Sequence, residues 1–216
     1  MTAKLIDNVT TMGGFEAAFN ELVDALNAMA PRYKAGNWFH AYTGSIQSGT
    51  ALSANSIRLL PFVLLKTITI SDLQARVTTA VAASNFQLGI YGSNSDGIPA
   101  GAVLANTGNM SGAAAAAVQG AISQGNVQLT PGLYWMAINA DAAVAVQTAL
   151  SAYVLAGALV GSATPANLVG GNTSVSLAWV IAATLGTWPD LTATPATETP
   201  NVGTTGILEF KVASVP

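Results

Sequence analysis

The chain has 216 residues, of which 51% are hydrophobic and only 8% charged, with a net charge of -3; an ordinary soluble domain carries roughly 25% charged residues. A folded monomer of this length exposes on the order of 9,000 Å², so Ser, Thr, Asn, Gly and Ala must cover most of that surface, or partner subunits must. The absence of Cys and the single His40 exclude disulfides, thiolate chemistry and multi-histidine metal sites. No Lys or Arg lies between Arg76 and Lys211, which excludes a phosphate-tracking stripe there and argues against a nucleic-acid partner.

The amino-terminal segment MTAKLIDNVTTMGG lacks the apolar run of a signal peptide, which argues against export by the general route. Residues 1–36 read as a helical attachment or trimerisation segment. Seven charges lie here: Lys4, Asp7, Glu16, Glu21, Asp24, Arg32 and Lys34. Phe15, Phe19, Leu22, Leu26 and Met29 follow a four-three-four-three spacing, an a/d seam over two heptads that Pro31 ends. An amphipathic helix this short needs a surface to bury its seam on. Docking on its own domain competes with association between copies, and the aromatic and Leu/Met seam flanked by acids predicts the latter.

From about Gly36 the apolar period changes to two, and residues 37–216 read as a β domain. Strands are expected at Ser56–Leu65, Thr67–Thr79, Asn85–Tyr91, Gly132–Asn139, Ala143–Val160, Ser174–Ala183 and Gly206–Val212. Turn chemistry separates them at Asn94–Gly97, Thr130–Gly132 and Gly170–Asn172. Seven or more strands with no second good helix indicate a sandwich or barrel. Ala142–Val160 is apolar enough to be weighed as a membrane span, but Gln147, Thr148, Ser151 and Gly157 and the alternation at Val144 and Val146 favour two buried strands. The alanine-rich run Gly112–Gly125 is read as a strand pair with a tight turn, and Thr187–Thr205 as a long exposed loop.

Leu88–Leu104 reads LGIYGSNSDGIPAGAVL and Leu129–Ile138 reads LTPGLYWMAI. With the opening strands SIRLLPFVLLKTITISDLQARVTT, this order resembles the β-sandwich of bacteriophage tail-fibre, head-fibre and other virion proteins, over residues 40–213. There, a strand ending Leu-x-Ile-Tyr leads into an Asp-Gly-x-Pro turn, and a later Thr-x-Gly-x-Tyr-Trp opens another strand. The resemblance implies a jelly-roll-like antiparallel β-sandwich, trimeric assembly and a place in the virion.

Candidate chemistry is sparse. His40, in NWFHAYTG, reads as a packed or interfacial histidine rather than a general base. Asp72, Asp96, Asp141, Asp190, Glu198 and Glu209 are too scattered to pair by spacing. Gly92–Gly97 lacks the first acid of a calcium loop, and Val103 stands where the bidentate Glu belongs. Trp38, Phe39 and Tyr42 cover the junction between the two regions or form a sugar-stacking platform. Trp188, with Asp190 and Glu198, is the candidate receptor or partner contact, because loops carry recognition.

Taken with the sparse chemistry, the resemblance implies a non-enzymatic phage or prophage virion component, for which no cofactor is expected. It is expected as a homotrimer contacting tail or capsid proteins and a host-surface glycan, with no membrane span. A capsid decoration or cement protein is the alternative, and a cellular carbohydrate-binding module a third.

Overall fold

A computed structural model of the chain describes residues 20–21, 32–40, 46–47, 49, 51–149, 178–199 and 206–216. The chain divides into two units, Met1–Arg32 and Tyr33–Pro216. The seam Phe15, Phe19, Leu22, Leu26 and Met29 lies outside the described residues. The second unit is mainly β. In chain order the strands are β1 (Trp38–His40), β2 (Ile46–Gln47), β3 (Ser56–Leu64), β4 (Ile68–Thr79), β5 (Asn85–Ser93), β6 (Pro99–Asn106), β7 (Met110–Ser111), β8 (Ala117–Ala121), β9 (Val127–Leu129), β10 (Gly132–Ala140), β11 (Ala145–Val146), β12 (Thr148–Ala149), β13 (Ala178–Ala182), β14 (Thr197–Thr199) and β15 (Glu209–Ser214).

All pairings are antiparallel. The larger sheet runs β14-β13-β3-β10-β5-β6, with β7 also on β5; the smaller runs β1-β15-β4-β11, with β8 and β9 on β4; β2 and β12 form a separate pair. The sheets share one core. Leu60, Phe62, Leu64, Phe86, Leu88, Ile90, Tyr134, Met136 and Ile138 of the larger sheet bury themselves with Ile68, Ile70, Leu73, Ala75, Val77, Phe210 and Val212 of the smaller.

Local chemistry explains the alternation and its interruption. In β4 the inward residues are two apart, except that Ile70 and Leu73 are both buried. Asp72 pairs with Lys211 while Ile70 pairs with the next residue, Val212, so Ser71 is an extra residue that resets the alternation. The hairpin between β5 and β6 is built as its residues demand. Gly97 takes the left-handed conformation at φ 78°, and the Asn94 Oδ1 accepts from the N–H groups of Asp96 at 3.0 Å and Ile98 at 2.9 Å.

The larger sheet is buried on both faces, which is why β3, β5 and β10 read as nearly continuous apolar runs. Its outer face carries a second core of Ile57, Leu59, Tyr91, Trp135, Ala137, Trp179 and Ile181, closed by Leu191 with Trp188 and Ala196. Tyr134 and Trp135 therefore pack on opposite faces, as their adjacency in a strand requires.

Three expectations are corrected. The segment beginning at Thr187 is not a long exposed loop across its described part. Residues 187–196 form a strap on the outer face of the larger sheet, with Leu191 only 2% exposed, and Thr197–Thr199 is a strand paired with β13. The alanine-rich run contains strands, but β8 and β9 do not pair with each other. Both lie along β4, at Asp72–Arg76 and Ile68–Ile70, as one strand interrupted at residues 122–126. Pro99–Asn106, absent from the expected strands, is a strand on β5. Within Ala143–Val160, the described part carries β11 and β12; no helix among the described residues is long and apolar enough to cross a membrane.

Candidate functional site

Strand pairing places the chemistry-bearing side chains of the smaller sheet on its outer face, because the inward positions are taken by the core. Two rows cross the sheet in register. The first is His40 on β1, Glu209 on β15, Gln74 on β4 and Gln119 on β8; the second is Trp38, Lys211, Asp72 and Ala121 on the same four strands. Directly opposed residues in antiparallel strands share a face and touch, so each row is a contiguous line of side chains drawn from strands more than 100 residues apart in sequence at the β15–β4 step.

Within the first row, the Glu209 carboxylate accepts from Gln74 Nε2 at 2.6 Å and lies 3.3 Å from His40 Nδ1. Within the second, Asp72 accepts from the Ser71 hydroxyl at 2.6 Å and lies 3.8 Å from Lys211 Nζ, which itself stands 6.0 Å from the centre of the Trp38 ring. The His40 side chain is 48% exposed and that of Lys211 39%, so these pairs sit in a high-dielectric setting and contribute at most about 1 kcal/mol each. The face thus combines an indole, two amides, two carboxylates and cationic or neutral nitrogen donors on a rigid sheet.

The residues singled out from sequence fall in three places. Trp38 belongs to the outer face, whereas Phe39 turns inward, 6.1 Å from Phe210 and 4.9 Å from Tyr33 between ring centres; Tyr42 lies outside the described residues. Trp188 points into the second core. Its ring occupies the space above Gly89, where a Cβ would stand 2.8 Å from the indole Cη2, and lies 6.1 Å from the Tyr91 ring. Asp190 is exposed, and its Oδ1 caps a turn by accepting from Thr192 N–H at 2.8 Å. Glu198 stands opposite Trp179 on β14. Sequence reasoning missed Gln74, Gln119 and Lys211; their placement depends on non-local pairing, although the outward half of β4's alternation already marks Asp72 and Gln74 as one face.

Tyr91 shows how closely the strap is joined to the sheet. Its hydroxyl donates to the Pro189 carbonyl at 3.0 Å. Burial, and then the nearby Asp190 charge, push its ionisation far above the ordinary phenol range. Among the described residues no three His, Asp or Glu side chains are grouped to hold a metal ion. Compared with known proteins, the chain matches no family model, no curated protein and no solved structure.

Proposed function

We propose that the chain is a non-enzymatic virion structural protein of a phage or prophage. In this reading it is a fibre- or spike-type component whose jelly-roll-like β-sandwich is displayed on the particle for attachment to a host-surface glycan. The observation that carries the binding part of this reading is the outer face of the smaller sheet. Trp38 offers an aromatic surface beside amide, carboxylate and cationic groups on registered strands, the combination that recognises sugar rings and their hydroxyls. A hydrolytic reading is less well supported. Glu209 is engaged by Gln74 and His40, and Asp72 by Ser71 and Lys211, so each carboxylate is occupied by its neighbours on the sheet rather than paired with the other for acid–base work.

The virion setting is supported by the resemblance of the Leu88–Leu104 and Leu129–Ile138 motifs. These two motifs meet in space: Trp135 Nε1 donates to Gly97 O at 3.1 Å and to Ser93 Oγ at 3.0 Å. Immunogold labelling of phage particles with an antibody raised against the purified protein tests the placement. Label on fibres or baseplate is expected. Label on the head surface favours the cement-protein alternative, and particles without label defeat both.

Two further results are expected. Replacing Trp38 and Gln74 by Ala should lower adsorption of the purified protein to host cells at least tenfold, while circular dichroism and the unfolding midpoint stay close to those of the parent; unchanged adsorption would move recognition off this face. The seam Phe15, Phe19, Leu22, Leu26 and Met29 is assigned to assembly, so light scattering should give a homotrimer. Leu22→Asp with Leu26→Asp should give monomers that keep a β spectrum.

A further inference from the structure

Glu209 has a polar neighbour on each side. Gln74 Nε2 donates to its Oε2 at 2.6 Å from β4, and His40 Nδ1 stands 3.3 Å from its Oε1 on β1. His40, Glu209 and Gln74 are directly opposed in one row across β1, β15 and β4. Strand register, rather than the conformation of a loop, therefore fixes both contacts.

A carboxylate accepts hydrogen bonds and donates none. The imidazole nitrogen that faces Glu209 must carry the proton, and in neutral His40 the far nitrogen, Nε2, is then left as an acceptor. The same logic fixes the amide of Gln74, whose nitrogen is spent on Glu209 and whose Oε1 is the remaining end. Neither His40 Nε2 nor Gln74 Oε1 takes a partner from the described residues. His40 is exposed and Gln74 half-buried, so solvent or a ligand supplies one.

We propose that Glu209 is the positioning residue of this face. By holding the His40 proton at Nδ1 and the Gln74 amide nitrogen toward itself, it leaves two acceptors, His40 Nε2 and Gln74 Oε1, for a ligand. Paired acceptors call for hydroxyl donors. The charges of the face balance, Asp72 and Glu209 against Lys211 and the exposed Arg76 two residues beyond Gln74, so no net field selects an ion. The ligand is therefore a neutral, hydroxyl-rich oligosaccharide. That ligand class rests on the glycan reading of the face; the tautomer of His40 does not.

His40 is the chain's only histidine, so a nitrogen–proton correlation spectrum of the labelled full chain has a single imidazole to read. At about pH 9, where imidazoles are neutral, the parent should show the Nδ1–H form. The Nε2–H form, which free histidine prefers, would overturn the proposal. Glu209→Ala should move His40 to the Nε2–H form, and an unmoved tautomer in the folded variant would overturn it as well. Binding is read on an array of matched neutral and uronate-containing oligosaccharides. Neutral members should be retained, and Glu209→Ala should weaken that retention at least tenfold. Retention lost with an unmoved tautomer would make Glu209 a direct contact and overturn its positioning role. Preference for the uronates would overturn the ligand class. Expected tautomers with no array member retained by the parent would defeat the glycan reading while upholding the positioning role. Should the variant fail to fold, the tautomer of the parent decides alone.

Discussion

Replacing Trp188 and Leu191 together by Ser is expected to lower the stability of the β domain by about 4–6 kcal/mol and to make it bind a hydrophobic dye. Leu191 is 2% exposed and Trp188 is partly buried against Tyr91 and Gly89. Truncating a buried Leu costs about 2–5 kcal/mol, and the large indole adds a smaller share because it is not fully enclosed. The residues are close, so their effects need not add. Uncovering Trp135, Trp179, Ile57 and Leu59 would expose the whole second core. A domain typically holds about 5–15 kcal/mol in reserve, so the double variant should approach collapse of cooperative unfolding in urea. A free recognition loop predicts the opposite: an unchanged midpoint and lost binding. The Tyr91 hydroxyl gives the same contact a pH signature. Its folded pKa lies above the unfolded value of 10.0, so its contribution is complete below pH about 10 and is lost as pH rises through the folded value. The strap should therefore loosen in strong alkali, visible as a protonated-phenol absorbance that persists until unfolding.

The core was legible because it follows local rules. Ile68, Ile70, Leu73, Ala75 and Val77 announce one buried face, and the apolar runs at Ser56–Leu64 and Gly132–Ala140 announce strands buried on two. The second run carried a further message: a sheet apolar on both faces needs two covers, and one opposing sheet supplies only one. That requirement calls for a second cover, whether from this chain or from another. The strap itself escaped because Thr187–Thr199 is rich in Thr and Pro, with its apolar weight concentrated in Trp188 and Leu191. Composition of this kind reads as solvated. The candidate face was half legible. Asp72 and Gln74 sit on the outward side of β4 by simple alternation, though the extra residue Ser71 breaks the count beyond them. That His40 and Glu209 would meet Gln74 depends on β1 and β15 joining β4, a pairing set by the global topology rather than by any spacing in the chain.

Trp135→Ala should be the most damaging single substitution in the domain. Trp135 is fully buried at the centre of the outer face of the larger sheet, opposite Pro61 on β3 and Tyr91 on β5, and its ring meets Trp179 edge-on at 5.0 Å. Removing a buried aromatic side chain costs about 3–5 kcal/mol through lost transfer energy and the cavity left behind. The indole N–H is lost as well, and with it the bonds to Gly97 O and Ser93 Oγ that hold the β5–β6 hairpin down on β10. For a domain of this size the loss should lower the thermal midpoint by about 10 °C. Trp135→Phe separates the two contributions. It keeps most of the volume and the contact with Trp179 but none of the hydrogen bonding, so it should cost about 1–3 kcal/mol. Amide exchange at Asp96 to Ile98 should accelerate in both variants, because each releases the hairpin. Equal costs for Phe and Ala would mean that the hairpin tie, rather than the filled volume, carries the stability; a Phe variant as stable as the parent, with slow exchange at the turn, would show that the indole bonds hold nothing.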